Sequence, residues 1–158
     1  GLRIQGNDIV AIGRVFTTRR DDGGGWDAYF ARVSRSTGAL AAYRVVDVDL
    51  GEILFDAVAV GQGRWLVAGT SGYTQNPDGA SVFEPASPLL AILEADGSLR
   101  ARVPFTAGAR INELRSLAPL GGHWLVGAMV NGPGTHSGDG NRALISADGV
   151  VRETAVTP

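Results

Sequence analysis

The side chains best equipped for chemistry in this sequence are carboxylates, arginines and isolated aromatics set in glycine-rich stretches. The first stretch, Arg19-Arg20-Asp21-Asp22-Gly23-Gly24-Gly25-Trp26-Asp27, combines charge, flexibility and one aromatic. Trp26 could anchor a carbohydrate or protein contact, with Asp21, Asp22 and Asp27 beside it; the alternative is a solvated hairpin loop whose tryptophan folds back on the protein. A second stretch holds Tyr73, Asn76-Pro77-Asp78-Gly79, Phe83 and Glu84. Asn76 to Gly79 is a turn signature, but the whole segment exceeds the usual connection length, which favours binding.

The third stretch runs from Asn131 through His136 and Asp139 to Asn141 and is the most polar. Asp139 and Asn141 at alternate positions beside glycine match part of a calcium loop. The full set of alternating oxygens and a closing glutamate are missing, so calcium is a minor expectation and no cofactor is expected. His123 and His136 do not form a metal pair, and His123 reads as a turn residue. Glu52, Asp56, Glu113 and Arg115 form a separate group in or beside apolar runs. No Gly-x-Ser-x-Gly elbow occurs, and no phosphate-binding glycine loop precedes a helix. The sequence holds no cysteine, so thiolate chemistry and disulfides are excluded.

The elements that position these residues emerge from self-similarity. Gln62-Gly63-Arg64-Trp65-Leu66-Val67-Ala68-Gly69 is echoed by Gly6-Asn7-Asp8-Ile9-Val10-Ala11-Ile12-Gly13 and by Gly121-Gly122-His123-Trp124-Leu125-Val126-Gly127-Ala128, about 56 residues before and 59 after. Ala91-Ile92-Leu93-Glu94-Ala95-Asp96-Gly97 matches Ala143-Leu144-Ile145-Ser146-Ala147-Asp148-Gly149 without a gap, and Ala31 to Gly38 is the first copy, one residue longer. Phe55-Asp56-Ala57-Val58-Ala59-Val60 is matched to Leu114-Arg115-Ser116-Leu117-Ala118-Pro119, and Leu2 and Ile4 to Val58 and Val60. Each run is short, rich in branched and aromatic residues and bounded by turn formers, so each reads as a strand. A fourth strand follows over 40–48, 99–105 and 150–156. The repeated positions of Trp65 and Trp124, and of Phe55 and Leu114, point to packing.

Each unit is therefore four antiparallel strands in about 58 residues, and the predicted fold is all-β. The sequence resembles the bacterial β-propeller repeat families, carried by Leu66-Val67-Ala68-Gly69-Thr70 and Leu90-Ala91-Ile92-Leu93-Glu94-Ala95-Asp96-Gly97-Ser98-Leu99. That resemblance implies three four-stranded blades, part of a larger propeller of six to eight blades, over about 1–50, 51–109 and 110–158. It also implies an extracellular, periplasmic or cell-surface protein, and brings no catalytic residues with it. Three blades cannot close a ring. The first innermost strand looks incomplete, and Gly1-Leu2-Arg3-Ile4 reads as a cut end.

A partner chain or a second fragment of the same precursor is expected to complete the ring; another copy, giving six blades, or an open three-blade arc capped by another domain are the alternatives. The three chemically loaded stretches, 17–26, 70–88 and 131–141, fall between second and third strands on one face of the scaffold, where binding residues concentrate. The leading expectation is a non-catalytic module binding protein or glycan there. A fragment of a propeller hydrolase, lyase or oxidoreductase, with Glu52, Asp56, Glu113 and Arg115 lining a central channel, is the second. A purely structural part is the third. A net charge of −2 gives no electrostatic case for nucleic acid or an anionic membrane.

Overall fold

The computed structural model describes residues 1–17, 25–48, 51–72, 74–75, 81–82, 87–104, 111–131, 138–146 and 151–157. Among them every regular element is a strand. Among the described residues no helix is long and apolar enough to cross a membrane. β1 (Leu2–Gln5), β2 (Asp8–Thr17), β3 (Gly25–Ser34) and β4 (Leu40–Val46) form sheet 1 in chain order. Sheet 2 contains β5 (Ile53–Gly61), β6 (Arg64–Ser71), β9 (Ser87–Leu93) and β10 (Leu99–Arg102), again in order along the chain. The two-residue strands β7 (Thr74–Gln75) and β8 (Ser81–Val82) pair with each other between β6 and β9. Sheet 3 contains β11 (Ile111–Leu120), β12 (His123–Asn131), β13 (Gly138–Ser146) and β14 (Val151–Thr157). All pairings are antiparallel.

The three sheets share a fine signature. In each, the pairing of third and fourth strands slips after the fourth strand's first residue, at Leu40/Ala42, Leu99/Ala101 and Val151/Glu153. A bulge thus recurs at the same place in all three sheets, where it locally bends the outer strand. Register also corrects the sequence matching of first strands. β5 slips between Ala59 and Gly61, where β11 has no irregularity, so Val60 is an extra residue. With it removed, Phe55 corresponds to Arg115 and Asp56 to Ser116, and β1 corrects likewise: Leu2 corresponds to Ala57 and Ile4 to Ala59.

Strand alternation gives each sheet two faces. Face a carries Val10 in sheet 1, Leu66 in sheet 2 and Leu125 in sheet 3; face b carries Ile9, Trp65 and Trp124. Face a of sheet 1 (Val10, Ile12, Ala28, Phe30, Val46) packs on face b of sheet 2 (Leu54, Ala57, Trp65, Val67, Leu89, Ala91, Leu93). The rings of Phe30 and Trp65 lie 6.3 Å apart across it. Face a of sheet 2 (Leu66, Ala68, Leu90) packs in turn on face b of sheet 3 (Leu114, Leu117, Val126, Ala128), with Trp124 partly buried at its margin. Repetition of the tryptophan thus follows from one interface used twice.

At Gly97 the β9–β10 turn touches sheet 1. Its φ of +84° suits glycine, and a Cβ there would sit 2.6 Å from Phe30 Cδ1. Asp96 beside it accepts hydrogen bonds from the backbone and hydroxyl of Ser98 and pairs with Arg44 of β4 at 2.9 Å.

Candidate functional site

In a four-stranded meander the link between second and third strands and the link to the next sheet lie at the same end. In sheet 1 that end gathers Thr17, Trp26, Asp27, Asp47 and Glu52. Val15 pairs with Asp27, and Ala28 pairs with Val46, so Asp47 follows β4 to the level of Asp27. The link then returns, and Glu52 donates its backbone N–H to the carbonyl of Trp26 at 2.8 Å. Carboxylate oxygens of Asp27, Asp47 and Glu52 lie within 4.8 Å of one another, with Asp27 and Glu52 buried and Asp47 exposed. Thr17 donates its hydroxyl to Asp27 Oδ2. Three close carboxylates repel one another and form a cation-compatible set, yet supply only part of the six to eight oxygens calcium takes.

Trp26 is a strand residue, not a loop residue: it pairs with Phe16, meets that ring edge-on at 5.3 Å, and lies under the Arg14 guanidinium at 4.3 Å. Half of the Phe16 side chain remains exposed. The end of sheet 1 therefore presents an arginine and two aromatics on face a, with the acidic group on face b.

Asp56 has a different role. It is 1% exposed, near the bulge of β5. Its Oδ2 accepts from Arg3 of β1 at 2.6 Å and from the Leu117 N–H of β11 at 2.8 Å, while Oδ1 accepts from the Ala57 N–H at 2.7 Å. Leu117 follows the corresponding bulge of β11. One carboxylate thus bonds sheets 1, 2 and 3 together. The two bulge residues also meet, with Arg115 stacked over Phe55 at 4.0 Å and paired with Glu113. Glu52 and Asp56 are wholly buried, Glu113 nearly so, and Arg115 is exposed.

No protein-family model matches this chain, and no curated protein is significantly similar to it.

The remaining sequence candidates divide in two. Asp21, Asp22, Tyr73, Asn76, Asp78 and His136 lie outside the described residues. Asn131, Asp139 and Asn141 are strand positions: β12 and β13 run into the segment 131–141 expected as a loop, with Asp139 opposite Val130 and Asn141 opposite Ala128. Sequence reasoning missed Asp47, which no repeat or motif marks.

Proposed function

We propose that the three sheets are blades of a β-propeller and that the chain is a scaffold whose loop-bearing end binds protein or glycan. The observation that carries this reading is the repeated packing of face a on face b. Radially arranged blades of one kind produce that pattern, whereas a two-sheet sandwich buries one face of each sheet. The central sheet here buries both. The loop-bearing end combines a half-exposed Phe16, an arginine-covered Trp26 and an exposed carboxylate, a mixture suited to recognition. The bacterial propeller-repeat resemblance supports the same reading, and with it a place at the cell surface or outside the cell.

An enzyme reading draws less support. Asp56, one of the two fully buried acidic candidates, spends both oxygens on three donors and so offers no acid–base group. The test is binding of the chain to glycan and protein arrays, beside a variant with residues 18–24 replaced by a glycine-serine linker. Binding lost in the variant at an unchanged thermal midpoint is the expected result. Turnover of a defined substrate by the chain alone, abolished by the same replacement, would overturn the proposal.

A further inference from the structure

We infer that the ligand taken at the loop-bearing end is a carboxylate-bearing glycan, with Arg14 holding the carboxylate and Phe16 the adjoining sugar ring. This rests on the binding reading above and deepens it by naming the chemistry of the ligand.

Arg14 is singled out by what it lacks. Arg3, Arg32, Arg44, Arg64, Arg100 and Arg115 each have an aspartate or glutamate as ion partner. Among the described residues Arg14 has none, and neither does Arg35, which lies in the β3–β4 turn at the opposite end. Arg14 is exposed, and its guanidinium is held over the Trp26 ring at 4.3 Å. An aromatic face anchors a cation without supplying an acceptor atom, so the N–H donors of Arg14 stay available. Their fork matches a carboxylate through a bidentate pair of hydrogen bonds. The anchor is itself fixed: Trp26 pairs with Phe16 across β2 and β3 and meets that ring edge-on at 5.3 Å. The arrangement exists before a ligand arrives, so binding has little left to order.

Phe16 supplies the neutral half. It stands two residues from Arg14 on the same face of β2 and is 46% exposed. Ligand sites combine such apolar rings with a few polar groups that fix orientation. A hexuronic acid bears its carboxylate directly on the sugar ring, so one rigid unit makes both contacts. The carboxylate of an acidic peptide hangs on a flexible side chain that must first be ordered, which favours the sugar. The acidic group narrows the class further. Asp27, Asp47 and Glu52 lie together at the same end, on the other face of the sheet. Their field repels densely charged anions, such as sulfated glycans or nucleic acid, more than spaced single carboxylates.

Calorimetric titration of the chain with oligogalacturonate and with its methyl ester tests this, because the ester keeps the sugar and removes the charge. The acid form should bind, and the ester should bind about tenfold more weakly or worse, the worth of a charge-assisted hydrogen bond. Arg14→Gln should weaken the acid form by a similar factor and leave the ester unchanged. Arg14→Lys keeps the charge without the fork and should fall between. Phe16→Ala should weaken both forms. NMR contacts between the Phe30 and Trp65 rings report that each variant is folded; where a variant loses them, the acid–ester comparison on the unaltered chain decides alone. Equal binding of acid and ester, acid binding untouched by Arg14→Gln, or tighter binding of a glutamate peptide or of dextran sulfate would overturn the inference. A chain that finds ligands on the arrays but takes no uronate also overturns it and leaves the binding reading standing. A chain that binds nothing on the arrays removes both.

Discussion

Replacing Asp56 tests how three sheets are held in one stack. In Asp56→Ala the Ala57 and Leu117 amides lose their acceptor inside the protein. Each orphaned buried donor costs about 1–3 kcal/mol. Arg3 adds little, because its side chain is about half exposed and returns to water. The expected loss is therefore about 4 kcal/mol, in line with the cost of about 3–5 kcal/mol for breaking a buried pair. For a chain of this size that lowers the thermal midpoint by about 8–16 °C.

Asp56→Asn keeps one acceptor but turns a donor either toward Ala57 or toward both Leu117 and Arg3, and should cost about half as much. Arg3→Ala should cost under about 1 kcal/mol. Urea unfolding of the three variants, read by tryptophan fluorescence, separates these cases at constant slope. Because the two amide bonds are buried, the Asp56→Ala loss should persist in about 1 M salt. A loss under about 1 kcal/mol for Asp56→Ala, or equal losses for Asp56→Ala and Arg3→Ala, would refute the inter-sheet role.

Trp65→Ala empties a position 3% exposed between sheets 1 and 2, and calorimetry should show a loss of about 3–5 kcal/mol. Gly97→Ala combines a left-handed backbone with a Cβ pressed on Phe30, and should cost about 2–4 kcal/mol in urea unfolding. Asp96 has its pKa held below the ordinary carboxylate range, chiefly by Ser98 and less by Arg44. Its contribution is therefore complete above the unfolded value of about 3.9 and fades as pH falls through the folded value. The stability difference between the unaltered chain and Asp96→Asn should be constant near neutrality and shrink in acid; a difference that grows in acid would contradict this assignment.

Much of the architecture was legible because a repeat displays its own strand boundaries. Glycine-bearing turns before Ile9, Trp65 and Trp124 set the phase of the second strands, and Asp96-Gly97 set the third hairpin position. Register was less legible: Val60 adds a residue without changing the hydrophobic pattern of β5, so gapless matching paired Asp56 with Arg115. The error hid the likeness of the Phe55 and Arg115 bulges and the reach of Asp56 to Leu117. Among site residues, Trp26 and Asp27 were recognised by type but assigned to a loop. Glycines 23 to 25 suggested flexibility, whereas pairing with β2 extends β3 back to Gly25. Asp47 required tertiary knowledge, since its proximity to Asp27 comes from cross-strand register and that to Glu52 from the returning link.

The direction of the stack explains why its surfaces differ so much from one another. Faces a and b are distinct surfaces, so their contact is heterologous, and such contacts either close into a ring or continue without limit. Among the described strand residues on face b of sheet 1, charge lies at the end where Asp27 sits opposite Val15, two residues before Tyr29. The rest of that face, from Ile4, Ile9, Val33 and Leu40 to Tyr29 and Val45, is apolar, and the acidic group sits beyond it.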